Sequence, residues 1–206
     1  PLIGINLGRL GFLVDISPEE MNVQIKQILE GHYHEEERII LNTQIIRNDE
    51  VIHEQSAFNE VALHRLKSPG LIDIETYVDH NFVNSQRSDG LIIATPTGST
   101  AYALSGGGPL MHPSLDAIVL VPINPHTLSN RPIVVDGNSE ISIRFSQRDK
   151  HKAQLTCDNV VLPSIFEDDL INIKRHDNKI RLLHPTDHDF FNILRVKLGW
   201  SKAPQA

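Results

Sequence analysis

The chain has 206 residues, of which 40% are hydrophobic, and its 26 acidic and 19 basic residues give a formal net charge of -7. This length suffices for a buried core, while the acidic balance and the lack of a lysine or arginine block argue against a nucleic-acid partner. Its single cysteine, Cys157, excludes an internal disulfide, and no apolar run approaches the ~20 residues of a membrane span, so we expect a soluble cytoplasmic protein.

The chain opens on Pro-Leu-Ile-Gly-Ile-Asn, which reads as a strand entered midway and without an initiator Met, so we expect a segment upstream. Gly4, Gly8 and Gly11 then mark a loop. Their spacing is not the G-x-G-x-x-G of a dinucleotide-binding turn, which argues against a Rossmann phosphate loop.

Residues 17–31 predict a helix with marked ends. Ser17, Pro18 and Glu20 form a start with a capping box, and apolar residues at helical spacing follow from Met21. Gly31 is placed to end the helix in a left-handed conformation.

From Arg38 onward, short β-branched segments separated by polar turns predict antiparallel sheet, with Asn48-Asp49 as a hairpin tip. Close strand spacing and few helices favour an α+β, mostly β fold built on a sandwich. A capped amphipathic helix is expected over Phe190 to Leu198. The predicted strands are Ile39–Arg47, Val51–Glu54, Ala62–His64, Leu71–Val78, Gly90–Thr95, Ala117–Val121, Ile133–Val135, Glu140–Phe145, Ala153–Cys157, Leu170–Arg175 and Lys179–Leu183.

The stretch Ile-Ala-Thr-Pro-Thr-Gly-Ser-Thr-Ala-Tyr at residues 93–102 is the richest in chemistry. Its plain interpretation is a strand followed by a helix that Thr97 or Ser99 caps. Its many hydroxyls, and Gly98 where a backbone could touch a ligand, equally favour a ligand-binding turn. Gly106 to Gly108 are expected to end that helix.

Three further patterns carry weaker signals. Asn59-Glu60 begins a strand, so one side chain could serve a ligand and the other the scaffold, although a solvated strand end is the commoner interpretation. In Arg87-Ser88-Asp89-Gly90, the Asp-Gly pair reads as an ordinary turn, and as a site Asp89 would lie at the opposite end of the following strand from Thr97. The histidines, including His184-x-x-x-His188, lack the sequence context of a zinc site. No hydrolase elbow, P-loop or protein-kinase signature occurs, so the residues alone predict a mostly β domain with a polar pocket around Thr97 to Ser105.

These segments, in their order, resemble bacterial NAD kinases almost from end to end. The resemblance rests on the segments beginning Gly4-Ile-Asn-Leu-Gly, Asn59-Glu60, Ser88-Asp-Gly with Thr-Pro-Thr-Gly-Ser-Thr-Ala-Tyr, Ser105-Gly-Gly-Gly-Pro, Pro113-Ser-Leu-Asp, Pro125-His-Thr-Leu, Arg131-Pro and Leu194-Arg-Val-Lys-Leu.

The resemblance implies transfer of the γ-phosphoryl group of ATP to the adenosine ribose 2'-hydroxyl of NAD, with a divalent metal such as Mg²⁺. It implies that Asn59 and Glu60 face NAD, and that its adenine side is framed by Thr100, Ala101, Tyr102 and Ser105. The remainder would be held by Arg87, Asp89 and Thr97, and Asp158 with Asn159 matches a further polar position of the site. The implied NAD-binding set is Asn59, Glu60, Arg87, Asp89, Thr97, Thr100, Ala101, Tyr102, Ala103, Leu104, Ser105, Asp158 and Asn159.

One motif of the resemblance is missing. NAD kinases carry a G-G-D-G-T segment whose Asp is thought to act as general base, and it does not occur in these 206 residues. We therefore expect a C-terminal portion of such a kinase, inactive alone: residues 1–31 from an N-terminal α/β domain, 32–176 as the NAD-binding β-sandwich, and 177–206 as a strand and helix returning to the first domain.

Two alternatives stay open at this point. One is a lipid kinase of the wider G-G-D-G-T group, and the other is a non-catalytic NAD(P)-binding or oligomerisation module. The resemblance also implies a homo-oligomer, a dimer or a tetramer, formed through the β domain.

Overall fold

The computed structural model describes residues 1–7, 11–14, 16–66, 70–146 and 153–200, so Gly8 of the predicted N-terminal loop lies outside the described residues. The helices are α1 (Met21–Leu29), α2 (Tyr102–Ser105) and α3 (Phe190–Leu198), and a 3-10 turn covers Gly98–Thr100. The strands are β1 (His34–Arg38), β2 (Leu41–Arg47), β3 (Glu50–Ala57), β4 (Glu60–Arg65), β5 (Ile72–Val78), β6 (Asn81–Ser88), β7 (Gly90–Ala94), β8 (Ala117–Ile123), β9 (Ile133–Asp136), β10 (Ile141–Ser146), β11 (Ala153–Cys157), β12 (Val160–Val161), β13 (Leu170–Arg175) and β14 (Ile180–His184).

The chain divides into two compact units, one formed by residues 1–38 with 179–206 and the other by residues 39–178. In the first unit, β1 pairs antiparallel with β14 from His34 opposite His184 to Arg38 opposite Ile180. The assignment of residues 1–31 to an N-terminal α/β domain stays a prediction.

Both long helices of the first unit have the predicted end signals. The Ser17 hydroxyl accepts from the Glu20 N–H (3.3 Å) and donates to the Glu20 carboxylate (2.9 Å), although regular helix begins only at Met21. Gly31 follows α1 at a left-handed φ of 91°. At α3, the Asp189 carboxylate accepts from the Asn192 N–H at 3.0 Å. None of the helices in the described ranges is long and apolar enough to cross a lipid bilayer.

The second unit is the predicted β-sandwich. Its first six-stranded sheet has the order β3-β2-β13-β10-β5-β6, and its second has the order β12-β11-β4-β7-β8-β9. Neighbouring strands pair antiparallel, as predicted. Inward side chains of both sheets, such as Ile45, Leu63, Ile93 and Ile143, form one fully buried core, which is the main source of the unit's stability.

A second apolar layer lies on the other face of the second sheet. There Ala62, Ile92 and Val121 pack with Ala103 of α2 and with Met111. β7 is consequently buried on both faces, which explains its uninterrupted apolar sequence. This layer fixes α2 against the sheet and so determines where the residues after β7 lie.

Three strands were not predicted: β1, β6 and β12. The predicted Asp-Gly turn is tighter than expected, because Asp89 alone separates β6 from β7 and Gly90 already begins β7. β6 is an edge strand with several exposed positions, so its sequence lacks a clean apolar alternation. The hairpin tip at Asn48-Asp49 is confirmed, with φ of 51° and 63°.

Candidate functional site

The loop after β7 is held together by its own hydroxyls. The Thr95 hydroxyl accepts from the Gly98 N–H (3.1 Å) and donates to the carbonyl of Phe58 (2.7 Å). The Ser99 hydroxyl donates to the Pro96 carbonyl (2.6 Å) and accepts from the Met111 N–H (3.0 Å). Thr97 occupies the predicted N-cap position of the 3-10 turn but makes no capping hydrogen bond with its side chain, and Thr95 supplies the hydroxyl at this turn. Thr95 and Ser99 are fully buried, so they shape the loop and do not face a ligand.

Gly98 allows a close approach between this loop and the start of β4. A Cβ atom at position 98 would overlap the backbone of Asn59 at its carbonyl oxygen. The Thr95 N–H donates to that same carbonyl at 2.9 Å. The glycine is therefore required because the backbone of residues 58–60 lies directly against the loop.

The β11–β12 turn holds the same segment from another side. The carboxylate of Asp158 accepts from three successive backbone N–H groups, those of Phe58 (2.5 Å), Asn59 (2.8 Å) and Glu60 (3.0 Å). The structure thus brings Asp158 to Asn59 and Glu60, from which it is separated by 99 and 98 positions in the sequence.

Glu60 has the most perturbed environment in this region. Its side chain is buried, and its Oε2 has no hydrogen-bond partner among the described residues. Burial, followed by the nearby charge of Asp158, raises the pKa of Glu60 to about 7, while the N–H of Tyr102 donates to the carboxylate and opposes the shift. A carboxyl group that is part protonated near neutral pH can both donate a hydrogen bond to a ligand hydroxyl and accept one from it.

Tyr102 connects Glu60 to an open cleft of about 420 Å³. The residue is 42% exposed and lines the cleft together with Asp89, at the far end of β7. Asp89 is fixed there, because its carboxylate accepts from Asn124 (3.0 Å) and from Arg65 (2.5 Å). The Asn124 hydrogen bond, followed by the Arg65 guanidinium, lowers the pKa of Asp89. An exposed aromatic face beside a fixed carboxylate can bind a polar heterocycle or a ribose.

Sequence reasoning missed five residues that line this cleft, the polar His64, Arg65 and Asn124 and the apolar Leu66 and Ile123. The Nδ1 atom of His64 is buried without a hydrogen-bond partner among the described residues. No sequence signal joined these positions, because they meet only through the strand order β4-β7-β8.

Other members of the implied NAD-binding set have different surroundings. Ala103 is fully buried in the apolar layer, so its side chain faces the core. Arg87 pairs with Asp73 at 3.2 Å and is not among the residues that line the cleft. Three members lie at the surface or near it: Leu104 is half-buried, whereas Ser105 and Asn159 are exposed. Thr97 is buried, and its carbonyl accepts from the Thr100 hydroxyl at 3.0 Å.

In the first unit, Glu36, His184 and His188 place one potential metal-ligating atom each within 4.8 Å of one another. The two imidazole rings are stacked, however, with centroids 3.9 Å apart and planes 24° apart. Lone pairs lie in the ring planes, so two stacked rings do not both aim a nitrogen at one ion at the ~2.0–2.1 Å that zinc requires. The Glu36 carboxylate is engaged instead by Arg38 (2.5 Å) and by His184 (3.3 Å).

Comparisons with known proteins identify the family. Residues 58–184 match the model of the ATP-NAD kinase C-terminal domain. The chain is 55% identical over 201 residues to an NAD kinase of Methylococcus capsulatus, covering 98% of this chain and 69% of that protein. It is 51% identical over 203 residues to an NAD kinase of Hahella chejuensis, with 98% and 69% covered.

Two solved structures share the fold. A yeast NADH kinase complexed with NADH superposes with a TM-score of 0.89 at 27% identity, covering 98% of this chain and 60% of that chain. An NAD kinase from Archaeoglobus fulgidus in complex with ATP gives a TM-score of 0.78 at 30% identity, with 96% and 74% covered. This chain therefore spans three-fifths to three-quarters of the proteins that it matches, and it belongs to the ATP-NAD kinase family.

Proposed function

We propose that the protein carrying these 206 residues is an NAD kinase, which transfers the γ-phosphoryl group of ATP to the adenosine ribose 2'-hydroxyl of NAD and so makes NADP. The observation that carries this proposal is the segment Asn59-Glu60, where a buried carboxyl group has one oxygen without a partner among the described residues and accepts from the N–H of Tyr102, a residue that also lines the cleft. Family membership supplies the identity of the ligand.

The residues of this chain act by binding and orienting NAD. The exposed ring of Tyr102 packs on a ring of the dinucleotide, and Asp89, fixed by Arg65 and Asn124, accepts from an amide or a ribose hydroxyl. Glu60 bonds a hydroxyl group with the oxygen that lacks a protein partner. Holding the 2'-hydroxyl at a defined position lowers the entropic part of the barrier to phosphoryl transfer.

In the transfer, the bond between the γ-phosphorus and the β,γ-bridging oxygen breaks as the bond from the ribose 2'-oxygen forms, ADP leaves, and the 2'-hydroxyl proton passes to a base. The resemblance assigns that base to the Asp of a G-G-D-G-T segment. A metal such as Mg²⁺, which the family implies, would neutralise phosphate charge. The carboxylates of Asp158 and Asp89 do not fit as its ligands, because described donors already occupy their oxygens, so we derive no step through the metal.

NADP formation tests the proposal directly. The intact protein, incubated with NAD, ATP and magnesium, is expected to form NADP, measured with an NADP-specific dehydrogenase. Tyr102→Ala is expected to raise the KM for NAD by on the order of tenfold or more, since it removes the aromatic face of the cleft. The proposal would be refuted if the protein phosphorylated a lipid headgroup in place of NAD, or if it phosphorylated neither substrate.

We also propose that the 206-residue chain alone does not form NADP, since it contains no G-G-D-G-T segment. The same assay on the purified chain tests this, and turnover comparable to that of the intact protein would overturn it. If restoring the upstream segment gives no activity, the chain is a binding module instead.

We also propose that the protein forms a homo-oligomer, either a dimer or a tetramer, and that it is located in the cytoplasm. Exposed apolar side chains on the edge strands β3 and β6, among them Ile52 and Phe82, support association through the β-sandwich. Sedimentation equilibrium tests it, and a monomer at micromolar concentration would count against it.

A further inference from the structure

Asp158 matches a position that the resemblance assigns to NAD, yet its carboxylate is already engaged. Both of its oxygens accept from the protein: Oδ2 from the N–H of Phe58, and Oδ1 from the N–H groups of Asn59 and Glu60. The connection is reciprocal, because the Asp158 N–H donates to the Glu60 carbonyl at 3.0 Å. The β11–β12 turn and the start of β4 are therefore joined by four hydrogen bonds.

The same segment is held from the opposite side by the loop after β7. The Thr95 hydroxyl donates to the Phe58 carbonyl (2.7 Å), and the Thr95 N–H donates to the Asn59 carbonyl (2.9 Å). Residues 58–60 thus lie between two anchors, the charged carboxylate of Asp158 and the neutral Thr95. Charge-assisted hydrogen bonds are about twice as strong as neutral ones, so Asp158 is the stronger anchor.

We propose that Asp158 is a positioning residue, which does not contact NAD but holds the Asn59-Glu60 segment in its binding geometry and sets the charge that Glu60 carries. This inference rests on the proposed function for the identity of the ligand. The geometry itself does not depend on it.

The effect on charge follows from what surrounds Glu60. Burial and the carboxylate of Asp158, in the β11–β12 turn, raise its pKa to about 7, and the N–H of Tyr102, in α2, lowers it. Its β7 neighbour, Ala94, carries no titratable side chain. Cys157 next to the turn stays neutral, because burial raises the pKa of its thiol to about 11. Among these neighbours, Asp158 is thus the residue whose charge raises the pKa of Glu60.

Asp158→Asn tests both parts of the proposal in the intact protein. Asparagine tolerates the left-handed turn (φ 46°), but it removes the charge and at least one acceptor. We expect the KM for NAD to rise by about tenfold or more while kcat changes much less, because binding geometry and not chemistry is lost. We also expect the ionisation midpoint of Glu60, followed by carbon-13 NMR of the labelled glutamate without NAD, to move to lower pH.

Two further variants separate a specific role from a structural one. Asp79→Asn is the matched control, because Asp79 also opens a left-handed hairpin turn (φ 49°), accepts from the Glu140 N–H (2.9 Å) and donates its own N–H to the Glu140 carbonyl. It should change neither readout. Thr95→Val loosens the neutral anchor, so it should raise the KM for NAD and leave the Glu60 midpoint unchanged.

The outcomes distinguish this inference from the proposed function. If the wild type makes no NADP but the Glu60 midpoint still falls in Asp158→Asn, the function is refuted and the positioning role stands. If the wild type makes NADP and Asp158→Asn behaves like Asp79→Asn in both readouts, the positioning role is refuted. If Asp158→Asn fails to fold, Thr95→Val decides: an unchanged KM for NAD would refute the claim that the anchored segment sets affinity.

Discussion

Glu60 is the residue whose chemistry depends most on the fold. As the first residue of β4 it stands in sequence between Asn59 and an apolar strand, where a solvated carboxylate is the ordinary expectation. The structure buries it beside Asp158, at a cost that hydrogen bonds with the protein offset only in part. A carboxylate kept in such a place is better explained by a ligand than by stability.

Glu60→Gln is expected to stabilise the fold at alkaline pH. The folded pKa of about 7 exceeds the ordinary 4.5, so the folded state binds more protons between these values and the wild type loses stability as pH rises through this window. Above pH 7 the variant should gain roughly 1–3 kcal/mol in free energy of unfolding, and below the ordinary pKa the gain should vanish. Urea titrations at both ends of the window measure it, and a pH-independent difference would contradict the assigned pKa.

At the scale of the element, the hydroxyls of the loop after β7 and of α2 differ in burial. The sequence Thr-Pro-Thr-Gly-Ser-Thr suggests equivalent polar side chains, yet Thr95, Thr97 and Ser99 are buried, whereas Thr100 is half-buried. Ser105, in α2, is exposed. This difference could not be predicted, because it depends on Phe58 and Met111, which are distant in sequence.

Two serine variants test this difference. Ser99→Ala leaves the buried N–H of Met111 without its acceptor and should lower the free energy of unfolding by about 1–3 kcal/mol. Ser105→Ala, at an exposed position, should leave stability within about 0.5 kcal/mol of the wild type. Chemical denaturation of both proteins measures the difference, and equal effects would show that the two hydroxyls are not distinguished as described.

Gly98→Ala should disturb the contact between the loop and β4. Its Cβ would meet the backbone of Asn59, so the loop must shift, and we expect a loss of roughly 1–3 kcal/mol with weaker NAD binding. Gly11→Ala is the control for stability, because its nearest neighbour is the end of the Asn6 side chain at 3.4 Å. Thermal melts of both variants are the measurement; a Gly98→Ala protein as stable as the control would mean that the contact is not tight.

At the scale of the whole molecule, the local signals predicted most of the strands and the sandwich but not how the strands meet. β1 was missed because its sequence, His-Glu-Glu-Glu-Arg, is charged, and the structure pairs Glu35 with Arg181 and Glu37 with Lys179 across the β1–β14 ribbon. Likewise, the resemblance implied Asn59, Glu60 and Asp158, but only the order β11-β4-β7 explains why they are neighbours.

The central claim is that Asn59 and Glu60, held between the loop after β7 and the β11–β12 turn, form part of an NAD site. Calorimetric titration of NAD into the intact protein and into Asn59→Ala tests it most directly, with Asp79→Asn as the control. We predict that Asn59→Ala raises the dissociation constant for NAD by about tenfold or more, the scale expected when a buried polar contact is lost. The control should bind NAD like the wild type. An Asn59→Ala protein that binds NAD with wild-type affinity would contradict this account.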